Sequence, residues 1–137
     1  MSHALSFTQP ASVRRGRSGV IALWVVQIAL AAMFLAAGGS KLLGAPAMVA
    51  LFNTIGMGQW FRYVTGLIEV GSALALLVPS IATFGALALV PTMIGAVVTE
   101  LFIVGDSAVP PAVLLLGAVG VVWARRHQLL SALPIAR

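Results

Sequence analysis

Four ionisable side chains stand inside segments that are otherwise apolar: Lys41, Arg62, Glu69 and Glu100. A charge at the centre of a membrane helix costs roughly 2.5–3.5 kcal/mol on insertion scales, and less nearer an interface. The chain has only three acidic residues in 137, so one at Glu69, in the apolar run from Trp60 to Pro79, calls for a physical reason. Arg62 and Glu69 are seven residues apart, two helical turns, which puts them on one face with Thr65 nearly between them. At helical rise Glu69 is roughly 10 Å deeper than Arg62. Glu100 ends the next apolar run, with Thr92 and Thr99 close by. Lys41 and Arg62 could bind an anion or a quinone carbonyl, and Glu69 or Glu100 could exchange a proton. The structural alternative is a Lys41–Glu69 ion pair that fixes helix register, with Glu100 facing headgroups or water. Such a pair need not stabilise the fold, but losing one partner is costly. Both accounts stay open at this point. Lys41, Arg62, Thr65, Glu69 and Glu100 form the candidate ligand-binding set, with no catalytic role assigned to any of them.

Other chemistry finds few residues to use. Cysteine is absent, which removes disulfides, thiolate catalysis and sulfur-ligated metals. The two histidines, His3 and His127, belong to the terminal regions and cannot join the candidate carboxylates around a metal, so no metal site is expected. Serine-hydrolase, phosphate-loop and dinucleotide motifs are missing. Catalytic activity of the chain on its own is therefore not expected.

The elements that must position these groups follow from composition. Of all residues 61 % are hydrophobic and only 8 % charged, with a mean hydropathy of +1.09. A water-facing surface usually needs about 25 % charged residues. This chain belongs in a lipid bilayer. Its net charge of +5 does not imply nucleic acid, because the arginines flank apolar runs. Arg14, Arg15 and Arg17 precede the first, and Arg125 and Arg126 follow the last. That is the positive-inside pattern, and basic ends on both sides require an even number of crossings.

The expected fold class is all-α: a four-helix transmembrane bundle with a short interfacial helix between the first and second spans. Residues 1–18 read as a cytoplasmic tail, 19–126 as the membrane domain, and 127–137 as a short, loosely held cytoplasmic tail. On the first span, Gln27, Ala31, Phe34, Gly38 and Lys41 fall on one face and should turn towards other helices. Pro46 suits a first helical position, Met48, Leu51, Phe52 and Ile55 make an apolar stripe, and Gly56 stops the segment. That describes an amphipathic helix at the outer interface, serving as a lid. Trp60, Phe61 and Tyr63 form an aromatic belt where the second span begins. Pro79-Ser80 makes a tight hairpin to a third span over 81–104, in which Pro91 should bend the helix. Pro110-Pro111 opens a fourth span ending near Trp123. With this topology Lys41, Arg62, Glu69 and Glu100 all lie in the outer half of an inner-membrane protein.

Gly38-Gly39-Ser40-Lys41-Leu42, Phe52 to Gly56, Gly66-Leu67-Ile68-Glu69 and Leu76-Leu77-Val78-Pro79 together resemble the DoxX-like family of small bacterial membrane proteins. The likeness runs through Gly95-Ala96-Val97-Val98-Thr99 to Arg125-Arg126, covering about residues 20–126. The resemblance singles out Lys41 and Glu69. It implies a four-helix inner-membrane protein, and some relatives are linked to membrane oxidoreductase complexes. The leading expectation is a non-catalytic subunit or assembly partner of a redox or stress-related complex, with a homo-oligomer also open. The alternative is a protein binding a quinone or another amphipathic small molecule around Lys41 and Glu69. Proton-coupled transport is weaker, because the inner half lacks ionisable groups to continue a path.

Overall fold

A computed structural model describes residues 16–134, which are helical almost throughout and contain no strand. Residues 1–15, with His3, Arg14 and Arg15 of the expected tail, and 135–137 lie outside the described residues. Helix α1 (Arg17–Leu42) has 26 residues, hence is about 39 Å long. Its buried residues are Gln27, Leu30, Ala31, Phe34 and Gly38, the expected inward face. It ends where Gly44 takes a positive φ of 70°, which ordinary side chains rarely adopt.

Helix α2 (Pro46–Ile55) begins with Pro46 in its first turn and stops at Gly56, whose left-handed φ of 80° closes the helix by an N–H bond to the Phe52 carbonyl. Phe52 is buried and meets Phe61 edge-to-face at 5.8 Å between ring centres, while Asn53 and Thr54 face outward. The helix expected as a lid is therefore present with its stripe turned inward. Helix α3 (Gln59–Leu76) buries Arg62, Gly66, Glu69, Ser72, Ala73 and Leu76, one stripe at helical spacing. The short turn at Pro79 leads to α4 (Ala82–Thr99).

Two features of the second half depart from the sequence-based expectation. Helix α4, which holds Pro91 within it, does not stay α-helical to residue 104 but opens into a π-helical turn over Glu100–Val104, closed by the Gly105 N–H donating to the Glu100 carbonyl at 2.8 Å. Helix α5 (Val109–Ala124) is followed by α6 (Arg126–Ala132), turned by 57°. The segment beyond residue 126 was expected as a loose tail. Instead, the Gln128 side chain donates to the Pro79 carbonyl and accepts from the Thr83 hydroxyl, each at 2.5 Å, which fastens α6 to the α3–α4 turn.

The bundle packs α1 on α3, α3 on α4 and α4 on α5, with a sparser α1–α5 contact. Its core comprises Leu30, Ala31 and Phe34 from α1, Ala73 and Leu76 from α3, Ala86, Leu89 and Met93 from α4, and Ala118 and Val121 from α5. Glycines set the closest crossings. A Cβ on Gly38 would lie 2.8 Å from a Val70 methyl, and one on Gly85 would lie 2.8 Å from the Ser72 carbonyl oxygen. Meanwhile large apolar side chains such as Leu67, Phe102, Leu116 and Trp123 are exposed, which suits a lipid rather than a water boundary. By length and composition, α1 and the stretch Ala82–Val104 can cross a membrane, and α5 with α6 makes a third candidate if its bend falls within one span. Helix α3, which carries Gln59, Arg62, Thr65, Glu69 and Ser72, is less apolar than these candidates.

Candidate functional site

At the Lys41 end of the bundle lies a cavity of about 870 Å³, walled by α1, α3, α4 and the start of α5 and covered by α2. Met48, Leu51, Phe52 and Ile55 form its roof, so the apolar stripe that makes α2 amphipathic is also what lines the cavity. Phe34, Ile68, Met93, Ala96 and Leu114 supply apolar walls. Ligand sites commonly combine this volume and apolar lining with a few fixed polar groups. Here those groups are Lys41, Glu69 and Glu100, with Ser40, Thr65, Thr92 and Thr99.

Lys41 and Glu69 form an ion pair. The ammonium nitrogen is 2.9 Å from Glu69 Oε2 and 3.1 Å from Oε1, with side-chain exposures of 14 % and 3 %. The local cause is one turn away on each helix: Gly38 stands three residues before Lys41, and Gly66 three before Glu69. A Cβ on Gly38 would be 2.9 Å from the Gly66 carbonyl oxygen, and one on Gly66 would be 3.1 Å from that of Gly38. Glycine at both positions lets the backbones meet, and the charges one turn on then fall within bonding distance. The spacing shared by the two motifs thus has a steric origin.

Arg62 does not meet Glu69, although their spacing puts them on one face. Its guanidinium instead donates through Nη1 to the Lys41 backbone carbonyl and through Nε to Gln59 Oε1 at 2.7 Å, and lies 4.3 Å from the centre of the Tyr63 ring. The carbonyls at the C-terminal end of α1 lack helical donors and carry partial negative charge, so they compete well for a cation. Gln59 in turn donates to Asn53 Oδ1 at 2.8 Å and to the Val49 carbonyl at 3.1 Å. Arg62 is therefore the middle of a polar chain that ties α2 to α1 and α3, and it does not line the cavity. Gln59 and Asn53 were not among the sequence candidates; the only signal was two amides flanking a glycine-rich link.

Thr65 lines the cavity, but its hydroxyl is bonded within α3, to the Phe61 carbonyl at 3.0 Å or that of Arg62 at 3.1 Å. Glu100 lines it from the first position of the π turn, half-buried, and its carboxylate has no hydrogen-bond or ion-pair partner among the described residues. So four of the five candidates, Lys41, Thr65, Glu69 and Glu100, line one cavity, and Arg62 braces its lid from outside. Among the described residues no three of His, Asp or Glu come together as a metal-binding group.

A second polar cluster occupies the opposite end. Gln27, fully buried, donates to the Leu76 carbonyl at 2.7 Å and accepts from Arg125 Nε at 2.7 Å, while the Arg125 guanidinium lies 5.7 Å from the Trp24 ring centre. Arg125 therefore closes the bundle end as well as flanking an apolar run. With the Thr83–Gln128 contacts, this end is knitted by hydrogen bonds, and among the described residues it has no comparable wall of charged groups around a cavity.

No curated protein and no solved structure matches the chain. The sequence pattern of the DoxX-like family matches residues 25–122, which span all the elements that wall the cavity. The cavity with its Lys41–Glu69 pair is thus part of a membrane protein that belongs to the DoxX-like family.

Proposed function

We propose that this protein binds an amphipathic small molecule in the cavity beneath α2. The observation that carries the reading is the cavity itself: about 870 Å³, apolar over most of its wall, with Lys41, Glu69 and Glu100 among its lining residues. The ligand's apolar body lies against Met48, Leu51 and Phe52, and its polar end faces the charged groups. No catalytic step is assigned. Two wall variants test this: Leu51→Trp on the lid and Ala96→Trp on α4, both residues lining the cavity. Native mass spectrometry of protein extracted from its own membrane should find a bound molecule that both variants lose. A wild type that carries none, and binds no added amphiphile, would count against the reading.

The membrane arrangement we propose has four crossings, with α3 as the polar-bearing second span and α5 continuing into a bent end. Both termini face the cytoplasm of an inner membrane and α2 lies at the outer interface, as the arginines at 17, 125 and 126 favour. Because the chain lacks cysteine, single cysteines report cleanly. A cysteine at exposed Ala47 should react with an impermeant maleimide from outside, and one at exposed Ser131 only after lysis.

A subunit role in a redox or stress-related complex is the second reading. The observation favouring it is that Gly71 and Gly120 lie on exposed helix faces with open space where a Cβ would be, so another helix can approach closely there. Cross-linking from cysteines at these two positions in native membranes tests it, and a monomer with no captured partner would exclude it.

A further inference from the structure

We infer that the cavity selects a cationic, hydrogen-bond-donating head group, such as the ammonium of a lipophilic primary amine, and that Glu100 receives it. The inference rests on the cavity reading above and narrows its ligand class.

The charges of the cavity wall leave one carboxylate unmatched. The charged groups in the cavity wall are Lys41, Glu69 and Glu100. Lys41 and Glu69 neutralise each other at 2.9 and 3.1 Å, which leaves Glu100 unmatched. The cations that would have recognised an anion are already matched: Lys41 spends two of its three N–H donors on the Glu69 oxygens, and Arg62, outside the cavity lining, bonds the Lys41 carbonyl and Gln59. The wall therefore sums to one negative charge.

The hydrogen-bond polarity of the wall favours the same kind of head group. Three of the wall hydroxyls point their hydrogens into their own helices: Ser40 to the Ala37 carbonyl at 2.8 Å, Thr65 to that of Phe61 at 3.0 Å, and Thr92 to that of Ala88 at 3.0 Å. Their oxygens are left with acceptor capacity only. Glu100 adds carboxylate acceptors, and the neighbouring Thr99 hydroxyl has no partner among the described residues. A wall rich in acceptors matches a head that carries several N–H donors, and an ammonium offers three.

The period of α4 carries the carboxylate to the cavity: Glu100 follows Met93 and Ala96 at spacings of seven and four, and all three line it. Glu100 begins the widened turn and Phe102, two residues on, is 80 % exposed on the opposite side. Such turns shift the phase of a helix and recur at functional sites. Within the widened turn Ile103 still lines the cavity, while Phe102 lies outside it.

The experiment compares four probes of similar chain length: dodecylamine, dodecanol, dodecanoate and a decyl-substituted benzoquinone. Each is titrated into purified full-length protein in zwitterionic nanodiscs, and specific binding is what both Leu51→Trp and Ala96→Trp remove. Wild type should bind the amine at least about tenfold more tightly than the alcohol, the ratio expected of one charge-assisted hydrogen-bonded contact. Glu100→Gln should abolish that preference and leave alcohol binding within about twofold, a readout that a general loss of fold would not give. Equal binding of all probes, tighter binding of the dodecanoate or the quinone, or an amine preference that survives in Glu100→Gln would overturn the inference while the cavity reading stands. No specific binding of any probe would remove both.

Discussion

Gly38 and Gly66 face each other across the α1–α3 crossing, each close enough that a Cβ on one would press on the backbone carbonyl of the other, at 2.9 and 3.1 Å. This contact fixes the distance between the helices that carry Lys41 and Glu69. Gly38→Ala should therefore destabilise the protein by about 1–3 kcal/mol, the usual cost of overpacking a tight site. Gly71→Ala, where a Cβ meets nothing within 4 Å, is the matched control and should be neutral or slightly stabilising. Denaturant unfolding of the two variants in mixed micelles measures the difference.

The Lys41–Glu69 pair should behave as a unit. Removing one partner, by Lys41→Met or Glu69→Leu, leaves a buried charge uncompensated and should cost about 3–5 kcal/mol. The double variant should be far more stable than the sum of the two, because neither charge is then stranded. A double-mutant cycle by unfolding gives the coupling directly. Additive losses would mean that the two side chains do not depend on each other.

Arg62 should act on the lid rather than on the cavity wall. Arg62→Met removes donors from the Lys41 carbonyl and from Gln59, hydrogen bonds of a charged group worth about 1.5–3 kcal/mol each. Amide exchange should accelerate over Pro46–Ile55, while the α1 amides near Leu30 and Phe34 keep their protection. Gln59→Ala should reproduce the effect more weakly, since Gln59 is the link between Arg62 and Asn53.

At the opposite end, Gln27→Leu should leave the Leu76 carbonyl without its side-chain donor and Arg125 without its amide acceptor, at a cost of about 1–3 kcal/mol. Gln128→Ala should be milder and local. It frees Thr83 and the Pro79 carbonyl, so exchange should quicken in α6 alone. Comparing the two variants by thermal unfolding and amide exchange separates bundle closure from the docking of α6.

The sequence alone determined the material and the local elements. An apolar composition with arginines flanking the runs dictated membrane helices, because so few charged residues cannot cover a watery surface. Proline at position 46, the stripe Met48, Leu51, Phe52 and Ile55, and glycine at 56 specified α2 with its bounds, since caps and periodicity are local properties. The inward face of α1 was legible for the same reason, and the glycine and charge motifs pointed to Lys41 and Glu69.

Tertiary structure decided who bonds to whom. Spacing put Arg62 on the face of Glu69, but a long side chain can reach an unsatisfied helix end as well as a carboxylate, and the α1 terminus was the nearer partner. The fastening of α6 by Gln128 depends on a turn 49 residues earlier in the chain, which no local pattern records. Likewise the absence of any partner for Glu100 among the described residues follows from how α4, α2 and α5 meet. A residue's type and period fix which face it occupies. Only the packed bundle fixes whether its charge is already matched.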